Sequence, residues 1–178
     1  YYLGLIYYEG INVKIDINES IKFYLLAANQ NHTIAQNNLG VIYYKGKFVA
    51  QDINKAIYYL NLAAEKNFPE ALYNLGIIYT NININKAIKY YSKAAEFNYL
   101  FAQYNIALIY FEGKYIKRDI AKALFYFTLA ANQNHVKSQY YLGIIYCDGQ
   151  YTTRDIKKSI YFLTLAEKKG SIAAQHSL

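Results

Sequence analysis

Four aspartates, Asp16, Asp52, Asp119 and Asp155, stand at equivalent places in a repeated pattern. A carboxylate held at a fixed place can serve as a general acid or base. Each of these, however, directly precedes an alanine-bearing helical run. A short acceptor side chain there satisfies free backbone N–H groups of the first turn, and Asn83 fills the same place in one copy. Capping explains the recurrence, so no catalytic acid is assigned. His32 and His135 occupy equivalent Asn-Gln-Asn-His loops about three copies apart, and His176 lies near the end. Equivalent places in distant copies cannot share one metal ion, so they are read as loop histidines. Cys147 is the lone cysteine. It excludes an internal disulfide framework and a cysteine-based zinc knuckle, and no histidine is placed to activate it as a nucleophile. No glycine-rich phosphate loop, HExxH pair or nucleophile elbow is present. No catalytic, cofactor or metal site is therefore expected. The remaining chemistry is recognition, for which 23 Tyr and 9 Phe are available.

The elements that position these residues obey one period. Leu39-Gly40 recurs as Leu3-Gly4, Leu75-Gly76, Ile106-Ala107 and Leu142-Gly143, with first residues 36, 36, 31 and 36 positions apart. Ala63-Ala64 recurs as Ala27-Ala28, Ala94-Ala95, Ala130-Ala131 and Ala166-Glu167, and shares the one deletion. A fixed period of this length predicts a solenoid array in which each unit packs on its neighbours. The units read as about 1–33, 34–69, 70–100, 101–137 and 138–171, with a sixth helix A beginning at 172–178.

Each unit reads as two helices. In the second, helix A spans Thr33 to Lys45, with Ala35, Leu39, Ile42 and Tyr43 at helical spacing. Gly40 sits mid-helix, where glycine costs about 1 kcal/mol against alanine; its recurrence predicts close helix approach. Gly46, like Gly10, Gly113 and Gly149, fits a left-handed C-cap. Asp52 opens helix B, expected from Ile53 to Lys66, with Ala56, Tyr59, Leu60 and Ala63 buried and Tyr59 filling space between units. Asp16 with Glu19 has the form of a capping box. Pro69 suits a helix start. The third unit has only Thr80-Asn81-Ile82 between Tyr79 and Asn83, so its link must be a tight turn. Tyr7, Tyr43, Tyr79, Tyr110 and Tyr146 are read as core.

The pattern A-x-x-x-L-G-x-x-Y-x-x-G, a loop, then D-x-x-K-A-x-x-Y-x-x-x-A-A resembles that of Sel1-like repeats, cousins of the tetratricopeptide repeat. It is carried here by Ala35, Leu39-Gly40, Tyr43, Gly46, Asp52, Lys55-Ala56, Tyr59 and Ala63-Ala64. The resemblance runs from residue 1 to about residue 170, with departures at the third-unit loop, Ala107 and Glu167. It implies an all-α fold, a right-handed α/α superhelical solenoid of about five helix-pair repeats. It further implies an adaptor or scaffold with no family active site.

By analogy with the tetratricopeptide unit, helix A lines the concave face. The inward positions then comprise Tyr1, Asn37, Tyr73, Tyr104 and Tyr140; Leu5, Val41, Ile77, Leu108 and Ile144; and Tyr8, Tyr44, Thr80, Phe111 and Cys147. Asn37, Val41, Tyr44, Tyr73, Ile77, Tyr104, Leu108, Phe111, Tyr140 and Ile144 are the candidate contacts for a bound peptide or helix. Tyrosine offers broad apolar contact with a hydroxyl handle and loses little entropy on binding.

The expected partner is a protein or peptide, and the net charge of +7 draws acidic ones. The lysines are dispersed, which reads as a solvated positive face rather than a nucleic-acid footprint. A structural or regulatory module within a larger protein is the alternative role, and a weakly basic nucleic-acid binder a further one. No run of 18 apolar residues could span a membrane. The chain opens inside a repeat without Met, so a segment of a longer protein is expected. The absence of disulfide pairs slightly favours the cytoplasm.

Overall fold

The computed structural model describes residues 1–178, which form eleven helices and no strand. They divide into two compact units, Tyr1–Phe97 and Asn98–Leu178. The first unit holds α1 (Tyr2–Glu9), α2 (Ile17–Asn29), α3 (Thr33–Lys45), α4 (Ile53–Ala64), α5 (Pro69–Thr80) and α6 (Ile84–Glu96). The second holds α7 (Leu100–Glu112), α8 (Ile120–Asn132), α9 (Val136–Asp148), α10 (Ile156–Glu167) and α11 (Ile172–Gln175). Odd-numbered helices are the A helices and even-numbered ones the B helices. Each A helix from α1 to α9 packs against the B helix that comes after it, and within a unit each B helix packs against the next A helix.

The packing rests on small residues facing large ones. Ala56, Leu60 and Ala63 of α4 are fully buried, as is Leu39 of α3. Gly40 lies against Leu60, and a Cβ on Gly40 would stand 2.5 Å from its Cγ. At Gly76 the facing group is the Tyr91 ring, 2.6 Å from such a Cβ. The glycines thus admit a B-helix side chain directly onto the A-helix backbone. Ala107 faces Phe127 in one core cluster instead.

The helix starts match the sequence reading closely. Asp16, Asp52, Asn83, Asp119 and Asp155 each accept a hydrogen bond from the backbone N–H three residues on, at 2.9–3.1 Å. That N–H bond leads the causes holding the Asp52, Asp119 and Asp155 carboxyls below the usual carboxylate range. Glu19 departs from the capping-box expectation, because its carboxylate accepts from Lys22. The Asp16 N–H, the expected partner, donates instead to Tyr7 O at 3.0 Å. The same closure recurs as Asp52 to Tyr43, Asn83 to Tyr79, Asp119 to Tyr110 and Asp155 to Tyr146, at 2.8–3.0 Å. It survives in the third repeat, whose linker between α5 and α6 is residues 81–83.

The helix ends use left-handed residues of two kinds. Gly10, Gly46, Gly113 and Gly149 close A helices at φ of 60–74°. Beyond the B helices, Asn31, Asn67, Asn98 and Asn134 take φ of 57–67°. The next N–H returns to a carbonyl five residues back, as His32 does to Ala27 O at 3.0 Å, which gives a Schellman-type end. Residues just before these asparagines reach to the preceding repeat. Lys66 Nζ donates to Asn31 O, and Gln133 Nε2 donates to Asn98 O at 3.2 Å.

Candidate peptide-binding face

The side chains offered by the A helices are best taken within each unit. In the first unit, Leu5 and Tyr8 of α1, Asn37, Asn38, Val41 and Ile42 of α3, Tyr24 of α2, and Glu9 and Glu70 surround one open cleft. Its volume is about 270 Å³. Leu5, Tyr8, Asn37 and Val41 are inward positions of the register, so the structure brings these four together. Asn37 forms wall rather than handle: it is buried, and its Oδ1 accepts from Asn74 Nδ2 at 3.0 Å. Tyr44, Tyr73 and Ile77 are half-buried and lie outside that cleft. Tyr73 packs near Tyr91, with ring centroids 5.8 Å apart.

In the second unit, Tyr104, Leu108 and Phe111 of α7 pack against the cluster of Ala107, Phe127 and Leu142. Tyr104 lies 4.6 Å from the His135 ring and 6.2 Å from Phe127. Burial, with the neighbouring Tyr141 next in weight, pushes its pKa up to about 12. Tyr140 packs against Leu163, Ala166 and Ala174, and Ile144 is half-buried. These side chains therefore hold the unit together while showing part of their surface. Cys147 is exposed.

The recurring tyrosines differ from the core reading. Tyr7, Tyr43, Tyr79, Tyr110 and Tyr146 are only half-buried. Each stacks on an aromatic of its own repeat, Phe23, Tyr59, Tyr90, Tyr126 or Phe162, at 5.5–6.2 Å and within 15° of parallel. Tyr59 thus pairs with Tyr43 inside its repeat and also packs against a cluster that includes Tyr24 and Ala28 of the preceding one. Lys55, Lys86, Lys122 and Lys158 sit 5.0–5.2 Å over the tyrosine rings. Lys55, Lys122 and Lys158 also pair with their cap aspartates at 3.3–3.5 Å.

The histidines have a role that their loop reading does not contain. His32 caps α3, accepting from the Ala35 N–H at 3.2 Å, and stacks on Tyr1 at 4.5 Å. His135 caps α9, accepting from the Ser138 N–H at 3.3 Å. Ser171 does the same for α11, and this equivalence is the sequence signal for the role. Burial, with the nearby Lys137 charge, lowers the His135 pKa. No three His, Cys, Asp or Glu side chains are placed to hold a metal ion. No helix is long and apolar enough to cross a membrane.

The repeat geometry is shared with known proteins. The family model described as Sel1 repeat matches residues 1–32, 33–68, 69–96, 100–135 and 136–171. A Sel1 repeat protein from Oxalobacter formigenes is 34% identical, with a TM-score of 0.85 over 99% of this chain and 74% of that one. The c5321 protein, a protective antigen of uropathogenic Escherichia coli strains with an SLR fold, is 27% identical with a TM-score of 0.92. The match covers 98% of this chain and 38% of that protein. Helicobacter pylori cysteine rich protein B is 30% identical with a TM-score of 0.57, over 75% of this chain and 99% of that one. No curated protein matches the chain. Five matched repeats, all-helical pairs and these solved neighbours place the chain in the Sel1 repeat family, an all-α solenoid family of non-catalytic scaffolds that generally bind proteins.

Proposed function

We propose that the chain is a non-enzymatic interaction module whose A-helix side chains receive a polypeptide segment of a partner. The observation that carries this reading is the open cleft of the first unit, where inward positions of α1 and α3 meet around about 270 Å³. Apolar walls with a few polar groups are what a peptide site needs. The lysine pattern favours a protein over a nucleic acid: Lys55, Lys122 and Lys158 are committed to cap aspartates and tyrosine faces. A phosphate backbone would need free cations in a row.

A second reading rests on the B helices. Tyr58, Phe125 and Tyr161 occupy equivalent outward places and are 58–59% exposed. They would suit contact with a neighbouring domain in a structural or regulatory module.

Affinity capture from the source cell separates the two, using wild type, Val41→Arg and Phe125→Ser after matching their helical content by circular dichroism. Loss of the partner with Val41→Arg alone supports the A-helix reading. Loss with Phe125→Ser alone overturns it in favour of the B-helix backs. Tyr104→Ala is a poor probe, since removing a ring packed on Phe127 and His135 costs about 2 kcal/mol of stability.

A further inference from the structure

The first-unit cleft has a polar character that overall charge conceals. Glu9, at the end of α1, and Glu70, in the first turn of α5, both border it. Neither carboxylate belongs to any of the four ion pairs of the chain. The Asn37 and Asn38 amides line the same wall.

A second, independent feature lies at the cleft's inner side. Tyr24 is 1% exposed, and its hydroxyl has no hydrogen-bond partner of good geometry. Its counterpart in the third repeat, Tyr91, lies 3.3 Å from Thr80 Oγ1. In the first repeat Tyr8 stands where Thr80 would, so that relief is missing. Burial raises the Tyr24 pKa, the side chain of Asn38 partly opposing it, and Tyr1, Glu9 and Tyr8 add to the rise. Tyr24 itself lines the cleft beside Tyr8, Glu9 and Asn38. A buried polar group left unpaired is costly, and a ligand donor would give the hydroxyl oxygen a partner.

We propose that this cleft binds an arginine side chain of the partner polypeptide, its guanidinium facing Glu9 and Glu70, with the Tyr24 hydroxyl and the Asn38 amide oxygen as further acceptors. The proposal rests on the A-helix reading above and adds the partner's chemistry. Arginine fits for three reasons. Its planar group carries five donors and no acceptor, matching a wall rich in oxygen. Its aliphatic stem can lie on Leu5, Val41 and Ile42. Its charge complements two unpaired carboxylates. An adjoining hollow of about 130 Å³ shares Tyr8 and Ile42 but is edged by Lys45 and Lys47. The end favourable to a cation is thus the one bearing Glu9 and Glu70. The sign is opposite to the acidic partner that net charge suggests.

The test titrates the full chain, ¹⁵N-labelled, with acetyl-Ala-Ala-Arg-Ala-Ala-amide, and with the same peptide carrying citrulline, which keeps the shape but not the charge. Saturable shifts at the amides of Glu9, Val41 and Glu70 are expected in the millimolar range. Affinity should fall roughly threefold to tenfold with citrulline, and similarly in Glu9→Gln and Glu70→Gln. Tyr24→Phe, which keeps the ring against Gly4, should weaken the arginine peptide by about threefold. Equal binding of both peptides, or unchanged binding in both glutamine variants, overturns the proposal. Shifts confined to Tyr104, Leu108 and Tyr140 overturn it while leaving the A-helix reading in place. Loss of that reading would show separately, as captured partner held by Val41→Arg.

Discussion

Single side chains in this protein often serve two ends at once, and His135 is the clearest case. Its ring accepts the Ser138 N–H and lies against Tyr104. Only the neutral ring can accept a hydrogen bond. Its pKa is lowered in the folded state, so the unfolded chain takes up the proton first as pH falls. The stabilisation is present above the ordinary histidine value of about 6.5 and is lost as pH falls through the lower folded value. Urea denaturation at descending pH should show stability declining over that window. His135→Asn retains a good cap without a titrating group and should flatten the decline; an unaltered slope would assign it to other groups.

At the scale of the element, the decisive feature is how closely A and B helices approach. Gly76→Ala would place a Cβ 2.6 Å from the Tyr91 ring. Such a contact forces the ring or the helix to shift, at a cost of about 1–3 kcal/mol. Thermal denaturation should register a lower midpoint. An unchanged midpoint would mean that the ring swings aside freely.

Sequence spacing makes much of this scale legible. Asp52 and its counterparts declare their capping by residue type and place, and Gly46 declares a left-handed turn, because both are local properties. Tyr59 does not declare its partner. Helical spacing tells that it faces inward, but stacking on Tyr43 depends on the crossing of two helices. His32 is harder to read for another reason: its capping role needs the imidazole turned back on its own helix, which is uncommon for histidine, and only the equivalent Ser171 signals it. Asn37 misleads because Asn74 is 37 residues away in sequence, and only the packed α3 and α5 bring the two amides together. The cleft itself belongs to no repeat and therefore to no motif.

The whole chain is two compact units of repeated pairs, each with its own buried leucines, alanines and aromatics. In repeat arrays stability sums over units and their nearest neighbours. Residues 1–97, made alone, should keep the helical signature by circular dichroism and melt below the full chain. A fragment without helical signal would show that its core requires residues 98–178. A solenoid is legible at this scale from the period, and the family from the residues that recur within it. A binding preference is not, because the +7 charge is a total, whereas Glu9 and Glu70 act on one small space.

The carbonyl of the recurring tyrosine receives the N–H of the next helix cap whether four residues or nine separate them. The crossing of each pair is therefore insulated from the length of the segment looping out between. Such a joint frees the outer loops to be lengthened, shortened or exchanged for foreign sequence without retuning the helices beneath. For a protein engineer, Tyr151 is tied to Arg118 of the preceding repeat, whereas the exposed stretch around Phe48 is the place for an insertion. For a lineage under pressure to change its outer face, it is a place where insertions and deletions are cheap.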